Sequence, residues 1–215
     1  MPGRLFMRRS ILVAVAACGI LMVAGSSAFS ADKKGEEGRE GNWTKGAQGA
    51  PSIEAAQKAV AKDPKSAIAH NDLGWAYRQN NKHKEAEAEL REALKLDPAL
   101  SYAHSNLSVV LLDQGKVGEA VEEGKTSTQL DGKQPIFRVV YGNALQAVPD
   151  NKAAIEQYKA AISLRPDYEN AFYNLGRAYL ADGQTTEAKV AFSQALELDK
   201  DDERVLKALD QLLDK

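Results

Sequence analysis

The sequence predicts an all-α solenoid built from antiparallel helix pairs, and three observations support this prediction. The dipeptides Asp63-Pro64 and Asp97-Pro98 are separated by about 34 residues, and Arg165-Pro166 follows the second after twice that interval. Small and large apolar residues recur at fixed places in blocks of that length, which is typical of stacked helical repeats. Aromatic residues form only 7% of the 215-residue chain, a share that favours close helix packing over a β-sandwich.

Composition also narrows the class of function. The formal net charge is −2, whereas nucleic-acid-binding proteins usually carry a strong excess of basic residues. The single cysteine excludes an internal disulfide framework and a thiolate metal cluster. No nucleophile elbow, HExxH motif or phosphate-binding glycine loop is present in the sequence. We therefore expect no enzymatic activity, no cofactor and no nucleic-acid partner.

Residues 1–30 have the order of a secretory signal peptide. A basic start is followed by an uncharged apolar run from Ile11 to Ala24 and then by small residues. Cleavage after Ala28 and cleavage after Ser30 both fit the pattern. We expect an exported protein, periplasmic or extracellular, that has lost this segment.

Three other interpretations of the N-terminus stay open. The stretch from Ser10 to Ala31 carries no charge and is long enough for an uncleaved anchor in the inner membrane. Val15-Ala16-Ala17-Cys18 resembles a lipoprotein box, although the chain stays apolar well beyond the cysteine. Arg8-Arg9 is weakly similar to a twin-arginine signal.

Four consecutive blocks of equal length lie at 67–100, 101–134, 135–168 and 169–202, and positions are counted from the first residue of each block. In the first block, positions 7, 8, 11, 20, 24, 27 and 32 hold Leu73, Gly74, Tyr77, Ala86, Leu90, Ala93 and Pro98. The third block repeats this pattern as Tyr141, Gly142, Leu145, Ala154, Tyr158, Ala161 and Pro166. The fourth block holds Leu175, Gly176, Tyr179, Ala188, Phe192, Ala195 and, in place of proline, Lys200. The helical period brings positions 7, 8 and 11 onto one face of the first helix and positions 20, 24 and 27 onto one face of the second.

This pattern resembles the tetratricopeptide repeat family. The resemblance implies two antiparallel helices per block, with small residues where the helices approach closely. Residues 51–66 predict the second helix of a preceding half-repeat, and residues 203–215 predict a capping helix with an apolar stripe. Residues 31–50 hold several glycines among charged residues and predict a flexible linker.

The second block departs from the pattern. Ser108 replaces the glycine at position 8, Gly124 replaces the large residue at position 24, and Ser127 replaces the alanine at position 27. Glycine inside a helix costs about 1 kcal/mol relative to alanine. We predict that the second helix of this block is the least stable, through sequence drift or because it is a hinge between the two halves of the solenoid.

The resemblance also implies where a partner would bind, because the first helices of this family line a concave groove. That surface suits an extended peptide or a partner helix. The carboxylate clamp of chaperone-binding members is not expected, since only Asn106 matches it. The candidate partner-binding residues at the groove positions are Asn71, Trp75, Arg78, Tyr102, Val109, Asn143, Asn170, Tyr173 and Arg177.

Two histidines suggest a remote alternative function. His70 and His104 both occupy position 4, so they lie on equivalent helices and could share a metal ion. No third ligand follows from the spacing, and a metal site needs ligand number and geometry. A solvated helix face is expected from the nearby glutamates Glu85, Glu87, Glu89 and Glu92.

The sequence as a whole predicts an exported scaffold that binds a protein or peptide partner during assembly of an envelope complex. The first alternative is a membrane-anchored assembly factor that keeps its N-terminal segment as a helix. The remote alternative is a metal-binding protein that uses His70 and His104.

Overall fold

The computed structural model describes residues 51–213, and within this range all regular structure is α-helical. The ten helices are α1 (Ile53–Lys62), α2 (Ala67–Gln79), α3 (His83–Leu96), α4 (Ser101–Asp113), α5 (Val117–Leu130), α6 (Pro135–Ala147), α7 (Asn151–Leu164), α8 (Glu169–Ala181), α9 (Thr185–Leu198) and α10 (Glu203–Leu213). The predicted all-α solenoid is therefore confirmed. The predicted signal peptide (1–30) and linker (31–50) lie outside the described residues.

Local signals in the sequence fix where several helices begin and turn. The hydroxyl of Ser66 accepts a hydrogen bond from the backbone N–H of Ala69 at 3.2 Å and so caps α2. Asp150 caps α7 in the same way. Gly115 and Gly183 lie in the turns inside the second and fourth blocks with φ of 73° and 79°, a conformation that glycine adopts without strain.

Close contact between a glycine and a large side chain joins the two helices of three blocks. A Cβ atom added to Gly176 would lie 2.6 Å from Cε1 of Phe192, and one added to Gly142 would lie 2.6 Å from Cε1 of Tyr158. In the first block, a Cβ on Gly74 would lie 2.7 Å from Cγ of Leu90. The missing side chain at position 8 therefore makes room for the large residue at position 24.

In the second block, the larger residue of this helix–helix contact is on the first helix, where Ser108 takes position 8, and the glycine is on the second helix. Gly124 takes position 24, and an added Cβ there would lie 3.1 Å from the Cα atom of Tyr141 and 3.2 Å from Oγ of Ser108. The buried Ser108 hydroxyl donates a hydrogen bond to the carbonyl of Ala120 at 2.7 Å. The backbone of α6 at Tyr141 therefore lies close to α5 at Gly124. The low stability and the hinge remain predictions.

The helix pairs stack in chain order, and their two kinds of helix differ in their neighbours. The first helices contact one another directly, α2 with α4, α4 with α6 and α6 with α8. Within the described residues, no comparable contact joins the second helices α3, α5, α7 and α9. The first helices are therefore closer together. The surface of these helices that carries the candidate partner-binding residues is called the first-helix surface below. Its members are Trp75, Arg78, Tyr102, Val109, Asn143, Asn170, Tyr173 and Arg177.

The ends of the stack are covered by the flanking helices. On α1, Ala56 is buried against Leu73 and Ala76 of α2. On α10, Val205 and Leu212 are buried against a cluster that includes Phe192 of α9. Terminal helices of this kind shield the apolar face of the last repeat from water.

Long apolar helices are not found in this part of the chain. Across residues 51–213, no helix has the length and hydropathy needed to cross a membrane.

We predict that Gly176→Ala destabilises the fold by about 1–3 kcal/mol, because the new methyl group meets the buried ring of Phe192. Thermal unfolding followed by circular dichroism measures the change. The matched control is Gly118→Ala in α5, where nothing lies within 4 Å of an added Cβ. The control should be neutral or slightly stabilising, by less than about 1 kcal/mol. Equal stability of the two variants would contradict the proposed helix–helix contact.

Candidate functional site on the first helices

An aromatic residue and a cation lie together at the N-terminal part of the first-helix surface. The guanidinium carbon of Arg78 lies 4.9 Å from the ring centroid of the half-buried Trp75. Nε of Arg78 donates a hydrogen bond to Oδ2 of Asp113 on the next first helix, at 2.8 Å. The salt bridge holds the guanidinium over the indole ring, an arrangement that favours cation–π attraction.

Asn71 does not take part in the open surface. Its side chain is only 5% exposed, its Oδ1 accepts a hydrogen bond from Nδ2 of Asn106 at 2.9 Å, and its Nδ2 donates to Asp72 at 3.2 Å. The amide therefore joins α2 to α4 and offers little exposed surface to a partner.

The central part of the surface is apolar. Tyr102 is half-buried and meets Phe137 edge to face, with ring centroids 4.9 Å apart and planes at 77°. Val109 is also half-buried. This part of the surface can bury apolar groups of a ligand, with Tyr102 held in place by the aromatic contact.

A second aromatic residue lies between two cations at the C-terminal part of the surface. Tyr173 has the guanidinium carbon of Arg177 at 6.0 Å and that of Arg204 at 4.8 Å from its ring centroid. Arg204 also donates to Oδ1 of the exposed Asn170 at 3.2 Å. The four blocks end at residue 202 and the candidate residues were taken from them, so Arg204 on the predicted capping helix was missed, although a fifth block in the same register would place it at position 2.

The carboxyl groups of Glu169 and Asp202 both contact Arg204, and their pKa values shift in opposite directions. Burial, together with a hydrogen bond to Asp202, raises the pKa of Glu169 to about 7. Hydrogen bonds from Arg204 hold the pKa of Asp202 below its ordinary range. Near neutral pH, the proton that the pair retains therefore resides on Glu169, and Asp202 carries the charge that anchors Arg204.

Amide side chains lie between the apolar centre and the C-terminal cations. The Tyr158 hydroxyl lies 2.8 Å from Oδ1 of Asn143 and 2.8 Å from Oε1 of Gln146. Tyr158 is completely buried, so sequence reasoning assigned it to the core alone. The sequence did offer one signal for this contact. Position 24 holds a tyrosine, with a hydroxyl that can form hydrogen bonds, where the first and fourth blocks have leucine and phenylalanine.

The two histidines have separate structural partners. Nδ1 of His70 lies 2.7 Å from Glu89, and its Nε2 lies 3.1 Å from the carbonyl oxygen of Pro64. Nδ1 of His104 lies 2.5 Å from Glu123, and its Nε2 lies 3.0 Å from the carbonyl oxygen of Pro98. Residues 51–213 contain no cluster of three His, Cys, Asp or Glu side chains suited to a metal ion. Each imidazole instead links its own helix to its partner helix and to the preceding turn.

The third block has the same link without histidine. Arg138 at position 4 donates from Nη1 to Gln157 at 3.1 Å and from Nη2 to the carbonyl of Gly132 at 3.4 Å. These partners occupy the positions that glutamate and proline have in the two preceding links. We call the three arrangements the position-4 links.

One glutamate of the expected solvated face is in fact buried. Glu87 is only 7% exposed, and its carboxylate accepts hydrogen bonds from Lys116 at 2.8 Å and 2.9 Å and from Gln114 at 2.8 Å. These contacts join α3 to the next block. The prediction failed because the partners belong to that next block, far along the chain from Glu87.

Paired helices, a regular repeat spacing and a continuous surface made by the first helices define an α-helical repeat scaffold. The chain belongs to the tetratricopeptide repeat family. The family description "Tetratricopeptide repeat" matches residues 49–101 and 169–202, and "TPR repeat" matches residues 142–183. Most of the divergent second block lies between the matched ranges.

Individual relatives cover different shares of the chain. It is 28% identical over 147 residues to the type IV pilus assembly protein PilF of Pseudomonas aeruginosa, a match to 67% of this chain and 58% of that protein. It is 26% identical over 149 residues to human tetratricopeptide repeat protein 6, a match to 69% of this chain and 28% of that protein. The chain thus spans less than two thirds of the length of both relatives.

Solved structures confirm the fold. The structure of Pseudomonas aeruginosa PilF aligns with a TM-score of 0.65 and 27% identity, over 71% of this chain and 69% of that one. A crystal structure of MamA aligns with a TM-score of 0.61 and 24% identity, over 69% of this chain and 86% of that one.

We predict that the two histidine links contribute stability that is lost as the pH rises above about 6.5. Burial lowers the pKa of His70 and of His104, but the paired glutamates and the proline carbonyls raise it by more, so each ends above its ordinary 6.5. A raised pKa means that protonation stabilises the folded state. The contribution is complete below about pH 6.5 and is lost as the pH rises through the higher folded value.

The measurement is the urea midpoint of the wild type and of a His70→Gln, His104→Gln variant at pH values below and above about 6.5. Glutamine keeps hydrogen-bonding capacity but does not titrate, so the midpoint of the variant should decline less with rising pH than that of the wild type. The raised pKa of Glu169 contributes to the decline in both proteins. Parallel pH profiles for both proteins would contradict the role of the histidines.

Proposed function

We propose that this protein is an exported tetratricopeptide scaffold that binds a protein partner through its first-helix surface and supports assembly of an envelope complex. Members of this family typically bind proteins, and such a role needs no catalytic group. The observation that carries the proposal is the pair of aromatic–cation sites, Trp75 with Arg78 and Tyr173 with Arg177 and Arg204.

The two sites have the chemistry of interaction hot spots. Tryptophan, tyrosine and arginine dominate binding energies at protein interfaces, because they combine a large contact area with polar atoms. The apolar side chains of Tyr102 and Val109 lie between the two sites in sequence and provide further area to bury. A partner that spans several first helices would contact both aromatic residues, and affinity would then depend on both.

The envelope role draws on two observations. PilF, which shares 28% identity with this chain, is described as a type IV pilus assembly protein. Residues 1–30 have the order of a signal peptide. The alternative is an assembly factor anchored by the same segment, and the two differ in whether residues 1–30 are present in the mature protein.

We predict that a Trp75→Ala, Tyr173→Ala variant loses a partner that the wild-type protein captures by crosslinking in its native host. Removal of both rings takes away the aromatic group of each aromatic–cation site. Mass spectrometry of the captured proteins measures the difference. The matched control is Leu164→Ala, Leu198→Ala, which removes two exposed side chains from the ends of second helices. The control should retain the partner. Retention by both variants, or loss by both, would contradict binding through the first helices.

We predict that the mature protein begins at Phe29 or Ala31, because the signal peptide ends at Ala28 or Ser30. Intact-mass measurement on protein purified from its host checks this. A mass that includes residues 1–30 would support the anchored alternative.

A further inference from the structure

The third repeat combines a buried hydroxyl with two surface amides. Asn143 and Gln146 lie three residues apart on α6, so their side chains leave the same face of the helix one turn apart. The hydroxyl of Tyr158 on α7 reaches both of them from the core, at 2.8 Å each. Equivalent positions in the other three blocks hold no such hydroxyl and no pair of amides.

The number of protons limits how this group can be arranged. A tyrosine hydroxyl has one proton to donate and can also accept, whereas a carboxamide has an oxygen acceptor at one end and an NH2 donor at the other. Burial raises the pKa of Tyr158 above its ordinary value, so the hydroxyl keeps its proton. The hydroxyl can therefore donate to the oxygen of one amide and accept from the NH2 of the other. A flip of one amide, which exchanges the places of its oxygen and its NH2 group, achieves this.

The consequence is a complementary pair on the surface. The amide that directs its oxygen to Tyr158 presents its NH2 group outward, and the amide that directs its NH2 group inward presents its oxygen. One donor and one acceptor then lie one helical turn apart on half-buried side chains. An extended backbone offers N–H and C=O groups in alternation along its edge, which such a pair can satisfy together.

We propose that the Tyr158 hydroxyl is a positioning group that fixes Asn143 and Gln146 as a donor–acceptor pair for the backbone of an extended segment of a protein partner. The inference rests on the proposed function and specifies the conformation of the partner at the third repeat. The next first helix, α8, carries the aromatic–cation site in which Arg177 lies 6.0 Å from the ring centroid of Tyr173. Side chains of the segment can then contact the aromatic residues while its backbone is held by the amides.

The test uses the full chain with Tyr158→Phe. This variant keeps the ring that packs against Gly142, and the fourth repeat already has phenylalanine at this place, where it packs against Gly176 in the same way. The variant is therefore expected to fold. The matched control is Tyr179→Phe, which removes a hydroxyl that lies near Lys159.

The first measurement needs no ligand. The side-chain NH2 signals of Asn143 and Gln146 are followed by ¹⁵N NMR in the wild type and in the two variants. In Tyr158→Phe, both pairs of signals should shift, and the NH2 group that had been hydrogen-bonded to the hydroxyl should exchange faster with water, while Tyr179→Phe should leave both pairs unchanged. Unaltered amide signals in Tyr158→Phe would overturn the positioning role.

The second measurement uses a peptide selected from a random library on the wild-type chain and synthesised with acetylated and amidated ends. Tyr158→Phe should weaken its binding about three- to tenfold, the effect of one hydrogen bond. N-methylation of one backbone amide in the peptide should weaken binding to the wild type by a similar factor and to Tyr158→Phe by less, since coupled groups are not additive.

The outcomes separate the inference from the proposed function. If Trp75→Ala, Tyr173→Ala abolishes binding while Tyr158→Phe binds like the wild type, the positioning role is overturned and the scaffold function stands. If the library yields no peptide whose binding depends on Trp75 and Tyr173, the proposed function fails, and the inference fails with it.

Discussion

The fold depends on one contact, the approach of a small residue on the first helix of each repeat to the residue at position 24 on the second. Gly142 and Gly176 meet aromatic rings so closely that even a methyl group would collide with them. Because protein interiors are packed as densely as crystals, this contact fixes the separation of the two helices and thereby the place of every other core side chain. The first-helix surface has its shape because the helices beneath it are held in this way. Tyr158 connects the core with the first-helix surface, because its ring packs in the core and its hydroxyl reaches the amides of Asn143 and Gln146.

Interactions that lie within one period could be predicted from the sequence. The regular spacing predicted the helix pairs, and the small residues at position 20 and the large residues at position 24 of the first, third and fourth blocks are buried where the periodicity placed them. Contacts between residues of neighbouring repeats were not predicted. Glu87 looked solvated because Lys116 belongs to the next repeat, and Asn71 looked exposed because Asn106 covers it from the neighbouring helix. Arg204 was missed because the periodic pattern was ended one helix too early.

The position-4 links show how polar groups can repeat as regularly as apolar ones. In three successive repeats, a side chain on the first helix joins the second helix to the carbonyl of the preceding turn, with histidine twice and arginine once. Arginine remains charged at all physiological pH values, whereas histidine titrates near neutrality. The first two repeats therefore respond to pH through these links and the third does not. A sequence comparison that scored only the apolar positions would overlook this difference.

The reversed contact in the second repeat limits how this chain can change in length. Repeat proteins grow and shrink by duplication or loss of whole units, because each unit contacts only its neighbours through similar faces. Gly124 is complementary to the backbone of Tyr141 in the following unit, so the second and third repeats match each other and not an average repeat. A copy inserted between them would present a large residue at position 24 to Tyr141 and a standard first helix to Gly124. Insertion of an average repeat at this boundary is therefore expected to disturb the contact between Gly124 and Tyr141.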